Sequence, residues 1–207
     1  MIPLLVDFSQ KKVAIFGGGD VGARKAAFFA PEATVVVYSR SFSPALVDLP
    51  VTRVTIELDG VPGETLSSLL EGAFCAVAAT PDAGLNNRIG EACRKAGVLF
   101  NNAEGEKGDI IIPSVMRGEH FLLAVSTKGA SPAVSRFLRE HLEETLPNLD
   151  RMIGMQEQLR GYLREFQPDA SARKDIVWKV LKDRDVWAAL ARGEAYAWSL
   201  IAERYLK

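Results

Sequence analysis

Three glycines, Gly17, Gly19 and Gly22, stand at the spacing G-x-G-x-x-G behind the apolar run Val13-Ala14-Ile15-Phe16. That spacing serves the binding of a pyrophosphate. Gly17, having no Cβ, permits a tight turn at positive φ. Gly19 lets the backbone come close to a phosphate, and Gly22 lets a helix pack against the strand before it. The first amides of that helix have no intrahelical partner and sit at the positive end of its dipole, so they attract an anion. Context makes the pattern informative: a strand-type run enters it, and the helix-forming Asp20-Val21-Gly22-Ala23-Arg24-Lys25 leaves it. A dinucleotide is expected over Gly17, Gly19, Asp20, Val21 and Gly22.

Two further positions belong to the same chemistry. The second strand, residues 34–38, runs into Ser39-Arg40-Ser41. An acid at this point favours NAD through the ribose hydroxyls, and an arginine accommodates the 2′-phosphate of NADP. Here there is an arginine and no acid, so the adenosine is expected near Arg40 and Ser41 with the choice of cofactor open. The arginine leans toward tolerance of a 2′-phosphate; the alternative is that Arg40 stacks on the adenine or points to solvent. The fourth strand, residues 73–79, ends in Thr80-Pro81-Asp82. Ligands of doubly wound sheets bind beyond the carboxyl ends of strands, which puts Thr80 at the cofactor.

The elements that must position these residues follow from hydrophobic periodicity. Strands are expected at 13–16, 34–38, 51–58, 73–79 and 98–100, with helices at 20–30, 66–70 and 86–96. This alternation reads as a Rossmann-like α/β fold, a parallel sheet with helices on both faces. After Asn101 the pattern changes. Residues 109–116 and 120–126 read as an antiparallel hairpin, followed by a helix over 132–146 with Ser131 as N-cap and Pro132 at its first position. From residue 148 only helical spacing remains. Met152, Met155, Leu159, Leu163 and Phe166 form one stripe, and two or three short helices carry Trp178, Trp187 and Trp198 as core. The expected layout is a nucleotide-binding domain over 1–112, a hairpin-and-helix segment over 113–147 and a small all-helical domain over 148–207.

Composition narrows the classes. The chain has 207 residues, 48% of them hydrophobic and 25% charged, with a net charge of −1. That balance gives no broad nucleic-acid footprint. No apolar run reaches the ~18 residues of a membrane span, and Lys11-Lys12 interrupt the first one, so the chain is expected in the cytoplasm without a signal peptide. Two cysteines, Cys75 and Cys93, are too few for a disulfide framework. His120 and His141 lie on different expected elements with no matching Cys or carboxylate spacing, so no permanent metal site is expected.

The motifs together resemble the precorrin-2 dehydrogenase family, the amino-terminal part of siroheme synthase. Residues 17–25, Gly-Gly-Gly-Asp-Val-Gly-Ala-Arg-Lys, are similar to its GGGxVAxRK motif. Ala78-Ala79-Thr80-Pro81-Asp82 with Asn86 is similar to its AATxD…N segment. Ile112-Pro113-Ser114, and residues 124–132 ending in Ser131-Pro132, are similar to its F-I-x-P-[AS] and VAxS[ST]GGxSP segments. The resemblance implies NAD-dependent oxidation of precorrin-2 to sirohydrochlorin, a step toward siroheme, in a homodimer that dimerises through the hairpin segment. It implies a polycarboxylate tetrapyrrole substrate, for which Arg24, Lys25, Lys107, Arg117, Lys128, Ser131 and Arg136 are candidate contacts; arginine suits carboxylates because its fork binds them bidentately. Some members also insert iron.

Three departures matter. The family's aspartate after the fifth strand, assigned to catalysis and chelation, is matched here by Glu104 in Asn101-Asn102-Ala103-Glu104. Glu104 is thus the candidate catalytic base, one methylene longer, and chelation is expected to suffer more from this than dehydrogenation. Lys128 replaces the first glycine of the GG pair, and Gly22 replaces alanine. A reading from another class, a nucleotide-sensing regulatory domain, would share the glycine loop but needs neither Glu104 nor the segment from Ser126 to Pro132.

Overall fold

The computed structural model describes residues 1–104 and 107–206. It divides into two compact units, 1–112 and 113–207.

The first unit is built on five parallel strands, β1 (Lys12–Phe16), β2 (Thr34–Ser39), β3 (Thr52–Thr55), β4 (Ala73–Ala78) and β5 (Leu99–Asn102), in the order β3-β2-β1-β4-β5. The helices are α1 (Asp20–Phe29), α2 (Gly63–Leu69) and α3 (Ala83–Ala96). Alternate residues of each strand face opposite layers. Val13, Ile15, Val35, Val37, Cys75 and Val77 pack with Ala23, Ala26 and Phe29 of α1. Ala14, Phe16, Tyr38, Ala76 and Ala78 pack with Leu66 of α2 and with Leu85, Ile89 and Cys93 of α3. The chain goes from β1 outward to β2 and β3, then returns to β4 and β5 on the other side. The switch point therefore lies between the carboxyl ends of β1 and β4, where such sheets bind their ligands.

Helix α3 begins three residues before its expected start. Asp82 is its N-cap, with the carboxylate accepting from the Gly84 and Leu85 amides at 2.7 and 3.2 Å; an aspartate before a helix is a capping signal that hydrophobic periodicity does not count. Strand β3 is half the expected length.

The expected hairpin is also shorter than its apolar pattern. Only β6 (Ser114–Arg117) and β7 (Leu122–Val125) pair, antiparallel. Ile110 and Ile112 instead pack on the α1-side core of the first unit. The backbone explains why. The Ile110 amide donates to the Phe100 carbonyl at 3.1 Å, and the Asn101 side chain donates to the Ile110 carbonyl at 2.9 Å. Those peptide groups are spent beside β5 and cannot join a hairpin.

In the second unit the hairpin is followed by α4 (Pro132–Thr145), α5 (Leu149–Phe166), α6 (Ala170–Lys182), α7 (Arg184–Arg192) and α8 (Glu194–Tyr205). Met152, Met155, Leu159 and Leu163 of α5 form a core with Val180, Val186, Leu190, Ala197 and Ile201. The stripe ends one turn early, because Phe166 is exposed. Trp187 and Trp198 pack against this core. Trp178 does not: it is 50% exposed, with the Lys182 ammonium over its ring. Among the described residues no helix is long and apolar enough to cross a membrane.

Candidate functional site

The turn after β1 is shaped by what lies next to each glycine. Gly17 has φ +114°, and a Cβ on it would overlap the Ala79 carbonyl beyond β4. Its amide donates to the Tyr38 carbonyl at 2.9 Å. Gly18, to which the motif gives no task, is equally confined. A Cβ there would strike the Ser41 carbonyl and the Ser39 and Phe42 side chains. Only the three consecutive glycines hinted at this. Gly22 comes up against the Gly17 carbonyl, with Ile15 farther off, so it packs α1 onto the turn more than onto the strand.

Gly19 differs from the others. It is exposed, and among the described residues nothing lies within 4 Å of where its Cβ would be. It is the N-cap of α1, with φ −74° and ψ −172°, and makes no side-chain cap. Open space in front of unpaired helix amides fits a pyrophosphate. Asp20 and Val21 form the first turn, and the Asp20 carboxylate accepts from the Ser43 hydroxyl at 2.7 Å. Ser41 lies beside Gly18. The Arg40 guanidinium stands 3.5 Å from Glu57 and 3.6 Å from Asp59. Neither acid was connected with Arg40 in the sequence, because they approach it only through the pairing of β2 with β3.

Thr80 and Glu104 are joined by a residue whose part in the site the sequence did not disclose. Asn86 of α3 is 0% exposed. Its Oδ1 accepts from the Thr80 amide and hydroxyl at 3.2 and 2.7 Å, and its Nδ2 donates to the carbonyls of Thr80 and Glu104 at 3.0 and 3.2 Å. The Thr80 hydroxyl is thus committed inside the protein. Glu104 itself is exposed, just beyond β5.

Of the basic candidates, Arg24 and Lys25 are on α1. Burial, and then the charge of Arg24, lowers the Lys25 ammonium below the ordinary lysine value. Lys128, Ser131 and Arg136 belong to the second unit, around the start of α4. Lys128 is exposed at φ +56°, a left-handed conformation that explains why glycine suits its position. The Ser131 hydroxyl accepts from the Val134 amide at 3.3 Å as the N-cap of α4. Arg136 pairs with Glu140 at 2.7 Å. Lys107 and Arg117 are exposed.

His120 has, besides the adjacent Glu119, a carboxylate neighbour that its sequence surroundings do not reveal, Asp150 of α5. Possible ligand atoms of Glu119, His120 and Asp150 lie within 4.8 Å of one another. The observed contact is structural: Asp150 accepts the His120 amide at 2.8 Å and so fastens the β6–β7 turn to α5.

Comparison with known proteins places these features. Residues 4–114, which include the glycine turn, match the family described as "Putative NAD(P)-binding", a match that supports a nicotinamide cofactor for this unit. A precorrin-2 dehydrogenase of Methanosarcina barkeri is 38% identical over 191 residues, 90% of this chain and 85% of the relative. Siroheme synthase 1 of Klebsiella pneumoniae is 31% identical over 95% of this chain, which spans 42% of that longer protein. The solved structure of SirC, a precorrin-2 dehydrogenase, superposes with a TM-score of 0.72 over 98% of this chain and 100% of its own, at 21% identity, and so shares the fold. By the extent of these matches, the chain belongs to the precorrin-2 dehydrogenase family.

Proposed function

We propose that this protein is an oxidoreductase that oxidises precorrin-2 to sirohydrochlorin with NAD, within siroheme biosynthesis. The observation that carries the reading is the glycine turn at the β1/β4 switch point, with open space before α1 on the sheet edge that also leads to Glu104. The relatives named above support the substrate.

The bound nicotinamide supplies the hydride acceptor. The chain's own residues supply the rest. Gly17, Gly19, Asp20, Val21 and Gly22 seat the pyrophosphate, with Thr80 beside it and the adenosine near Arg40 and Ser41. A Glu104 carboxylate oxygen takes the proton released when the substrate gives up its hydride. Two hydrogens leave precorrin-2, one as hydride and one as proton. The substrate's carboxylates call for cations and hydrogen-bond donors; the candidates are Arg24 and Lys25 on α1 of the first unit and, separately, Lys128, Ser131 and Arg136 of the second.

NAD is favoured over NADP because Arg40 already faces Glu57 and Asp59. A 2′-phosphate there would meet two carboxylates along with the guanidinium. Ferrochelation is weak or absent on this reading, since the Glu104 carboxylate is displaced by about a bond length from that of aspartate. Misplacement on the ~1 Å scale costs on the order of a hundredfold.

The three-part layout of 1–112, 113–147 and 148–207 includes a dimerising segment. Support comes from α4, which leaves Val134, Phe137 and Leu138 exposed, Phe137 at 63%. An apolar helix face of this kind gains from a symmetric copy. Ile110 and Ile112 do not contribute to it, being packed in the first unit.

The test is an anaerobic assay with precorrin-2 and NAD, following NADH and sirohydrochlorin, with siroheme scored when Fe²⁺ is added. Glu104→Ala is expected to lose about a hundredfold or more in turnover. Failure to form NADH would overturn the reaction, and wild-type turnover in a folded Glu104→Ala would overturn the role of Glu104.

A further inference from the structure

A buried asparagine in a helix is an expensive choice. Its amide loses water on both sides and must regain every hydrogen bond inside the protein. At position 86 an apolar residue would serve the core of α3 more simply. Asn86 instead spends its side chain on two loops that the sequence keeps apart, at Thr80 after β4 and at Glu104 after β5.

Glu104 is held from its other end as well. Its amide donates to Asn102 Oδ1 at 3.3 Å, and Asn102 Nδ2 donates in turn to Asn87 Oδ1 at 3.4 Å. Both backbone polar groups of Glu104 are therefore bound by asparagine side chains. Asn86 takes the carbonyl and Asn102 the amide. The same Asn86 amide binds the Thr80 backbone on both sides, through its N–H and its C=O. The place of Glu104 is thus referred directly to the strand end on which the glycine turn rests, since Gly17 abuts Ala79 and the Thr80 amide.

We propose that Asn86 and Asn102 are positioning residues that fix the Glu104 carboxylate relative to the bound cofactor. The proposal rests on the reading of Glu104 as base. The glutamate side chain is flexible and exposed, so a rigid backbone beneath it limits the positions its carboxylate samples. Aspartate cannot replace Asn86 in this task. It keeps the acceptor for Thr80 but has no N–H for the two carbonyls.

The experiment compares Asn86→Asp and Asn102→Ala in the full chain, alone and combined with Glu104→Ala. NAD affinity is measured by calorimetry and turnover with precorrin-2 under anaerobic conditions. Each asparagine variant is expected to lose roughly tenfold to a hundredfold in kcat, and Asn102→Ala, whose hydrogen bonds run to Glu104 and Asn87, is expected to keep NAD affinity within about threefold of wild type. In the Glu104→Ala background neither is expected to lose more than about twofold further, since residues acting through one group are not additive. Asn102 is only half-buried, so Asn102→Ala decides the matter if Asn86→Asp fails to fold. Undiminished kcat in the folded variants would overturn the proposal while leaving Glu104 as base. A loss in NAD affinity equal to the loss in kcat in Asn102→Ala, or full additivity with Glu104→Ala, would overturn it too. Wild-type turnover in Glu104→Ala alone would remove the base and the proposal with it.

Discussion

Replacing Gly19 by aspartate is expected to make the cofactor-free protein more stable and its NAD binding weaker. Gly19 is the N-cap of α1 in an extended conformation open to any residue, with free space at its Cβ. Aspartate is a better N-cap than glycine by a few tenths of a kcal/mol. A negative charge at a helix N-terminus adds about 0.3–1 kcal/mol. The neighbouring Asp20 carboxylate offsets part of this, leaving a net gain of about 0.5 kcal/mol. The pyrophosphate must occupy the same space. Two charges 4 Å apart repel by about 1 kcal/mol in water and about 4 kcal/mol at a protein surface. Even the lower figure, counted once for each phosphate, gives about 2 kcal/mol, or roughly a thirtyfold weaker affinity. Urea unfolding measures the first effect and calorimetry the second. NAD affinity within threefold of wild type would refute the placement of the pyrophosphate. A loss of stability above about 1 kcal/mol would refute the uncapped, open helix start.

Three other outcomes are expected. Glu57→Gln with Asp59→Asn removes the acids beside Arg40 and should raise NADP affinity relative to NAD by roughly fivefold, as exposed pairs are worth up to about 1 kcal/mol each; an unchanged ratio in calorimetry would show that the 2′ position lies elsewhere. Burial pushes the thiols of Cys75 and Cys93 from 9.0 up to about 12. Because the folded values are raised, the unfolded chain releases these protons first, so their contribution to stability is full below about pH 9 and is lost as pH rises toward about 12; denaturant midpoints that stay flat over this range in wild type, relative to a Cys75→Ala, Cys93→Ala variant, would contradict the burial. Phe137→Glu places a charge on the exposed face of α4 and should shift a dimer toward monomer in light scattering at micromolar concentration, an expectation that a wild-type monomer would defeat.

The sequence by itself determined the parallel α/β architecture and the glycine turn. Strand and helix periods are local, and a Gly-rich turn between them carries its own steric reason in Gly17. It also determined the order of the segments and the family resemblance, since motifs are read along the chain. Pro81-Asp82 carries a capping signal that hydrophobic periodicity does not count, so periodicity alone starts α3 three residues late. The rest depended on tertiary structure. Ile110 and Ile112 have the alternation of a strand, yet the Ile110 peptide groups bond beside β5 and both side chains pack on the first unit's core; apolar periodicity says that a residue is buried, not against what. Gly18 was confined by the loop after β2, and the packing of Gly22 against the Gly17 carbonyl followed from the tightness of the turn. Glu57 and Asp59 reached Arg40 through strand pairing. Asn86 stood in a recognised motif without a task, because its hydrogen bonds run to Thr80 and to Glu104, 18 residues away. Which donor meets which acceptor is a property of folded distances, and those distances exist only once the β4 and β5 ends lie side by side.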